Sequence, residues 1–179
     1  AANTDRADLD IGGLRDTWTN LEIRRHLRFD PLGFLSLRAG LRRTLKSDQD
    51  QQHFGRSLLD PRPIEAMIGG SINWQALHDN VAAGRTLALL VAALDVATGT
   101  TAIFSELAPG ADYRASRDPR RRAEIGQIGE EHVLASAAIP LLFPARRIGA
   151  SYYCDGGLRF NTPISPAIRA GAERLVVIT

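Results

Sequence analysis

One carboxylate in this sequence stands where a fold could display it for chemistry. Asp155 follows the apolar run from Tyr152 to Cys154 and precedes Gly156 and Gly157. A carboxylate at the end of a strand can act as a general base when it reaches the proton that it must remove. Because glycine adopts positive φ without steric cost, we interpret Gly156 and Gly157 as a supporting turn that bends the backbone sharply after the acid.

The pair Asp155-Gly156 also fits a purely structural role. Asp-Gly between two strands is a favoured sequence for a type I′ β-hairpin turn. Three residues alone favour the hairpin, because short motifs recur by chance. The choice between hairpin and catalytic base therefore depends on the flanking sequence.

The flanking sequence has a pattern of its own. Upstream lies ASAAIPLLFP, residues 135–144, and downstream lie NTPI at 161–164 and AIRAGA at 167–172. These segments, with Asp155-Gly156-Gly157, resemble the C-terminal half of a patatin-like phospholipase catalytic domain. Weaker matches occur at 57–64 and at 93–99, where ALDVATG is similar to the family's A-T-D-L-x-T-G with Leu94 in place of threonine.

The resemblance implies a chemistry. In that family the aspartate of a DGG or DGA motif works with a serine held in a G-x-S-x-G turn, and backbone amides of a glycine-rich loop hold the oxyanion. Asp155 is then the general base of a Ser-Asp dyad in a lipolytic serine acyl hydrolase of the phospholipase A or lysophospholipase type. The substrate is a phospholipid or another acyl ester, and no cofactor is needed.

The nucleophile does not stand out in the sequence, which contains no G-x-S-x-G. Ala1-Ala2 resembles the helix that follows the serine in the family, so we expect a fragment that lacks the N-terminal nucleophile region and is inactive alone. Other serines fit structural roles: Ser71 is a candidate helix N-cap, Ser136 a packing residue, and Ser57 and Ser151 have no supporting context. The alternative function is a catalytically inactive lipid- or partner-binding domain on the same scaffold.

Other chemistries have weaker support. The four histidines, His26, His53, His78 and His132, have no metal-ligand spacing with one another or with Cys154, so no metal site is predicted. We interpret Cys154 as a small apolar strand residue. The run Arg120 to Arg122 is interpreted as a solvated helix start, and it lacks the interleaved aromatic residues of a nucleic-acid groove. No nucleotide-binding glycine motif is present.

A membrane contact is one of two interpretations of a basic segment near the N-terminus. Phe34, Leu37 and Leu41 form an apolar stripe beside Arg38 and Arg42. Such a helix can lie in a membrane interface, although packing on its own core is more common. Peripheral membrane contact is therefore possible, and we expect a cytoplasmic or peripheral membrane location.

Bulk composition agrees with a single domain over residues 1–179. Apolar residues make up 44%, charged residues 23%, and the formal net charge is +2. No window reaches the roughly 18 to 20 apolar residues of a membrane span. Composition leaves the oligomeric state open.

The elements that must position Asp155 follow from periodicity and breakers. Helices are predicted over 13–28, 32–45, 63–68, 73–83, 128–138 and 163–170. The helix at 73–83 is capped by Ser71 or Asn73 and closed by Gly84. Strands are predicted over 86–96, 100–107, 148–154 and 175–178, with a polar loop at 46–55 and a turn-rich segment at 110–126. We therefore expect an α/β fold with three α/β/α layers and a central mixed, mostly parallel sheet.

Overall fold

The computed structural model describes residues 15, 16, 19, 28–30, 53–54, 57–159 and 164–177. Its strands are β1 Arg28–Phe29, β2 His53–Phe54, β3 Leu59–Asp60, β4 Ala88–Asp95, β5 Thr101–Leu107, β6 Arg121–Ile125, β7 Ala145–Ile148 and β8 Ser151–Asp155. Its helices are α1 Arg62–Ser71, α2 Trp74–Ala82, α3 Glu130–Ser136 and α4 Ile164–Arg169, with a 3₁₀ helix at Gly156–Leu158.

The main sheet has six strands in the order β2-β7-β8-β4-β5-β6. Only the β5–β6 pair within it is parallel, whereas its other four pairs are antiparallel. The prediction of a mostly parallel sheet is therefore wrong for the described residues, although the sheet is mixed as expected. Short turns join β4 to β5 and β7 to β8, and such turns connect only antiparallel neighbours.

The β4–β5 hairpin confirms the predicted pair of strands. Ala93 lies opposite Ala102. Asp95 stabilises the turn, because its Oδ1 accepts hydrogen bonds from the backbone N–H groups of Ala97 and Thr98 at 2.9 and 3.0 Å. Gly99 completes the turn at φ 65°, a conformation that glycine adopts without cost.

Strand β5 is covered on both of its faces. The five successive residues from Thr101 to Ser105 are all buried, although neighbouring side chains on a strand point to opposite faces. On one face α3 packs against β5, where the ring of His132 meets the edge of Phe104 with centroids 4.6 Å apart. The α/β class is confirmed, and the architecture is compatible with three layers.

The helices agree with their local sequence signals. α1 includes the predicted 63–68, α3 lies within 128–138, and α4 lies within 163–170. Of the two candidate caps of α2, Asn73 is the one used, because its Oδ1 accepts a hydrogen bond from the Ala76 N–H at 3.0 Å. Ser71 is instead the last residue of α1. Gly84 follows the end of α2 at φ 71°.

Several strand predictions are wrong. The strand predicted over 148–154 is a hairpin, because Gly149 turns the chain at φ 59° between β7 and β8. Residues 110–126 contain β6, and the predicted loop at 46–55 contains β2. The apolar run at Leu175 to Val177 forms no strand and is exposed, with Val176 at 93%. Apolar composition alone does not supply a partner strand.

The two N-terminal helix predictions fall almost entirely outside the described residues. Arg15, Asp16 and Thr19 are helical, as predicted for 13–28, but Arg28 already belongs to β1. The helix predicted over 32–45 lies outside the described residues. In the part of the chain that the structure describes, no helix is both long and apolar enough to cross a bilayer.

Candidate active site

Asp155 is the last residue of β8, where it lies opposite Ala93 of β4. Its backbone N–H donates to the carbonyl of Ala138, just after α3, at 2.9 Å. Its Oδ1 accepts a hydrogen bond from the Gly157 N–H at 2.7 Å. The chain then enters a 3₁₀ helix and not a second hairpin strand. The hairpin interpretation of Asp155-Gly156 is therefore wrong.

Gly156 and Gly157 serve a different purpose from the predicted one. They lie in the 3₁₀ helix, outside the left-handed region, so positive φ is not what requires glycine here. Gly156 is buried, and a Cβ on it would lie 2.6 Å from the carbonyl oxygen of Ala92. Gly156 thus allows close approach to β4, while Gly157 contributes the N–H that orients Asp155.

A cavity of about 600 Å³ opens beside Asp155. Most of its lining is apolar: Leu90, Val91, Ala92, Val133, Ala137, Ile139 and Leu158, with Ser136, Asp155 and Gly157 as the other residues. Its wall on β4 exists because β8 pairs with β4 only from Ala93 to Asp95. Along the first half of β4, no described strand lies on that side. The arrangement can hold an apolar group against one carboxylate.

The candidate serines named from the sequence do not lie in a nucleophile elbow. Ser71 is the last residue of a helix and does not follow a strand, so the strand-to-helix geometry of an elbow is missing there. Ser57 is buried and its Oγ donates to the Leu59 carbonyl at 2.8 Å. Ser151 begins β8. Ser136, interpreted from sequence as a packing residue, ends α3 and lines the same cavity as Asp155.

Cys154 has the environment of an inert thiol. It is buried next to Asp155, and burial raises the pKa of the thiol, with a further rise from the Asp155 charge. A neutral thiol is a poor nucleophile. The structure supports the interpretation of Cys154 as a small apolar residue.

A partly buried ion-pair network lies next to the site, and the sequence analysis missed it. Arg122 of β6 donates from Nη2 to Oδ2 of Asp95 at 3.2 Å and from Nε to Oε1 of Glu124 at 2.7 Å. It also donates to the hydroxyl of Tyr153. The predicted solvated helix start at Arg120 to Arg122 is therefore wrong, because Arg122 lies within the sheet.

This network ties β8 to β4 and β6. Asp95 is only 1% exposed, and Arg122 offsets the cost of burying its charge. Burial raises the pKa of the Tyr153 phenol, Glu124 raises it further, and Arg122 opposes both. One feature of the sequence could have pointed to this network. Asp95 lies in the ALDVATG segment, which resembles the family's motif and ends a predicted strand.

His78 and His132 have structural partners. Nδ1 of His78 lies 2.9 Å from a carboxylate oxygen of Glu106, and Nδ1 of His132 accepts from the Gly129 N–H at 3.0 Å. Within the described ranges, no group of three or more histidine, cysteine, aspartate or glutamate side chains is arranged to hold a metal ion.

Comparison with known proteins agrees with the resemblance noted in the sequence. A family model described as patatin-like phospholipase matches residues 7–168, which is most of the chain. The matched region includes the Asp155 corner, α3 and the β4–β5 hairpin. No curated protein and no solved structure matches the chain.

Proposed function

Because this chain belongs to the patatin-like phospholipase family, we propose that Asp155 is the general base of a Ser-Asp dyad in a lipolytic serine acyl hydrolase. The family supports a lipid acyl hydrolase in general terms. The observation that carries the finer proposal is the Asp155 carboxylate in the wall of a largely apolar cavity.

The environment of Asp155 suits a base. The Gly157 N–H holds Oδ1, which fixes the orientation of the carboxylate. Within the described part of the chain Oδ2 makes no hydrogen bond, so it can accept a proton from a hydroxyl. The apolar side chains around it, such as Leu90, Val133 and Leu158, would surround an acyl chain.

The proposed reaction runs through an acyl-enzyme. A serine outside this chain attacks the ester carbonyl while Asp155 removes its hydroxyl proton, and backbone amides outside the chain hold the oxyanion. Asp155 gives the proton to the departing alkoxide. Water then hydrolyses the acyl-serine ester, with Asp155 again as base. The reaction class is carboxylic ester hydrolysis of the phospholipase A or lysophospholipase type, without a cofactor.

Asp155→Asn in the complete protein tests the role of the base. The amide oxygen can still accept from Gly157, so the fold should be retained, while ester turnover falls by about 10²- to 10⁴-fold. Turnover of a short acyl ester and thermal unfolding are measured together. Asp112→Asn, at an exposed aspartate away from the cavity, is the matched control. Near-normal turnover by Asp155→Asn contradicts the assignment.

Residues 1–179 alone should be inactive if the serine lies outside them. We expect no ester turnover and no covalent labelling by a fluorophosphonate probe. Stoichiometric labelling of an internal serine, with Ser136 in the cavity the first to check by mass spectrometry, would place the nucleophile inside this chain.

The second candidate is an inactive lipid- or partner-binding domain on the same scaffold. It is kept because the sequence has no G-x-S-x-G. Contact with a membrane surface and a cytoplasmic or peripheral location fit both candidates, since a domain of either kind can bind lipid. Liposome binding by the complete protein that is lost at high salt, without ester cleavage, favours the second candidate.

A further inference from the structure

Among the described residues that line the cavity beside Asp155, only Ser136 carries a side-chain hydroxyl. Ser136 is the last residue of α3 and is half-buried. Val133, Ser136 and Ala137 all line this cavity, and their spacing of three and four residues puts them on one face of the helix. The side chain of Ser136 therefore belongs to the helix face that forms the cavity wall.

The backbone joins the end of α3 to the proposed base. The carbonyl of Ala138, two residues after Ser136, accepts a hydrogen bond from the Asp155 N–H at 2.9 Å. Ser136 and Asp155 thus line one cavity from two segments that are hydrogen-bonded to each other. Main chain, and not a flexible side chain, determines where the two residues lie relative to one another.

Two oxygen atoms of this cavity wall are available to a bound molecule. Oδ1 of Asp155 accepts from the Gly157 N–H, whereas Oδ2 makes no hydrogen bond with the described part of the chain. A serine in a helix commonly donates to a carbonyl three or four residues earlier. Within the described ranges the Ser136 hydroxyl makes neither that bond nor any other. Both oxygens face a largely apolar space that offers few other polar partners.

The attacking groups of the two proposed steps differ in their number of protons. In acylation the attacking serine hydroxyl has one proton, and Asp155 accepts it. In deacylation the attacking water has two protons, so a second acceptor is needed to fix its orientation. A serine hydroxyl oxygen has two lone pairs and is such an acceptor. A water that donates to two acceptors keeps its own lone pairs free to attack a carbonyl carbon.

We propose that Ser136 Oγ and Asp155 Oδ2 together hold the water that hydrolyses the acyl-enzyme. This inference rests on the proposed function and adds a residue to its second step. The water oxygen bonds to the acyl carbon while Asp155 takes one of its protons. The bond from that carbon to the serine outside this chain then breaks, and Asp155 returns the proton to the departing serine oxygen. Ser136 keeps its own proton throughout.

Competition between water and methanol for the acyl-enzyme tests this role in the complete protein. Methanol has a single hydroxyl proton, so it does not need the second acceptor. The ratio of methyl ester to free acid formed from a short acyl ester is measured by chromatography at a fixed methanol concentration. Ser136→Ala should raise this ratio about 3- to 10-fold, because a neutral hydrogen bond to water is lost. Ser136→Thr keeps the hydroxyl and should restore the original ratio.

Ser71→Ala is the matched control, because Ser71 also ends a helix but lies outside the cavity, and its ratio should be unchanged. An unchanged ratio in Ser136→Ala overturns the inference, even if total turnover falls, because a purely structural role lowers both products equally. If hydrolysis still requires Asp155 in that case, the proposed function stands.

Two further results overturn the inference in other ways. Covalent labelling of Ser136 by a fluorophosphonate probe would identify it as the nucleophile and not as a residue that holds water. If the complete protein forms neither product, or if Asp155→Asn forms both at the normal rate, the proposed function fails and this inference fails with it.

Discussion

The position of the Asp155 carboxylate depends on Gly156, a residue that has no side chain. Gly156 lies so close to the Ala92 carbonyl that a methyl group does not fit, and Gly157 then donates its N–H to the carboxylate. The carboxylate is therefore held by the Gly157 N–H, in a turn that packs directly on the β4 backbone. The sequence analysis singled out these glycines for positive φ, which neither of them adopts.

Gly156→Ala tests this steric requirement. A Cβ at 2.6 Å from backbone oxygen forces the 3₁₀ turn away from β4, so we expect a loss of about 1–3 kcal/mol in the free energy of unfolding and reduced ester turnover by the complete protein. Urea unfolding and turnover measure the two effects. Gly70→Ala is the control, because nothing lies within 4 Å of its added Cβ, and it should be neutral or stabilising by about 0.5–1 kcal/mol. Equal behaviour of the two variants would contradict the steric argument.

Elements with strong local signals could be predicted from sequence. The β4–β5 hairpin has two apolar strands and a glycine turn, and α2 has Asn73 as its N-cap. β6 could not be predicted, because Arg122 and Glu124 look solvated until their partners Asp95 and Tyr153 are brought beside them by the sheet. The position of Ser136 in the cavity could not be predicted either, because it depends on how α3 packs against β8.

Asn73→Ala tests the capping assignment of α2. Loss of the side-chain hydrogen bond to Ala76 should lower the free energy of unfolding by about 1 kcal/mol. Ser71→Ala, at the exposed end of α1, should change it by less than about 0.5 kcal/mol. Chemical denaturation of both variants decides between the two caps, and a larger effect at Ser71 would reverse the assignment.

At the scale of the whole molecule, β5 is the strand buried along both faces, and the candidate site forms where β8 leaves β4. Sequence reasoning predicted the α/β class and the antiparallel β4–β5 pair, but not the antiparallel pairing of β7, β8 and β4. The direction of those strands depends on turns such as the one at Gly149, which composition does not reveal. A single domain over residues 1–179 stays a prediction.

The burial of two tyrosine phenols and one cysteine thiol makes the free energy of unfolding sensitive to alkaline pH. Burial raises the pKa values of Tyr113, Tyr153 and Cys154 in the folded state. The unfolded chain then loses these protons first as pH rises, so the contribution of Cys154 starts to fall near about pH 8.5 and those of Tyr113 and Tyr153 near about pH 10. Unfolding free energies measured from pH 7 to 11 should fall, and Cys154→Ala should reduce the part of the fall that begins near pH 8.5. An unchanged profile for Cys154→Ala would show that the thiol does not contribute.

The two-residue turn between β7 and β8 determines which chemical group faces the cavity. Side chains alternate along β8, so Asp155 lies on the face opposite to that of Cys154. The pairing of Arg146 with Tyr153, set by the turn at Gly149, fixes this alternation. A slip of one residue would exchange the carboxylate for a thiol at the same place. The length of a turn that does not line the cavity is thus as much a determinant of the proposed chemistry as the aspartate itself.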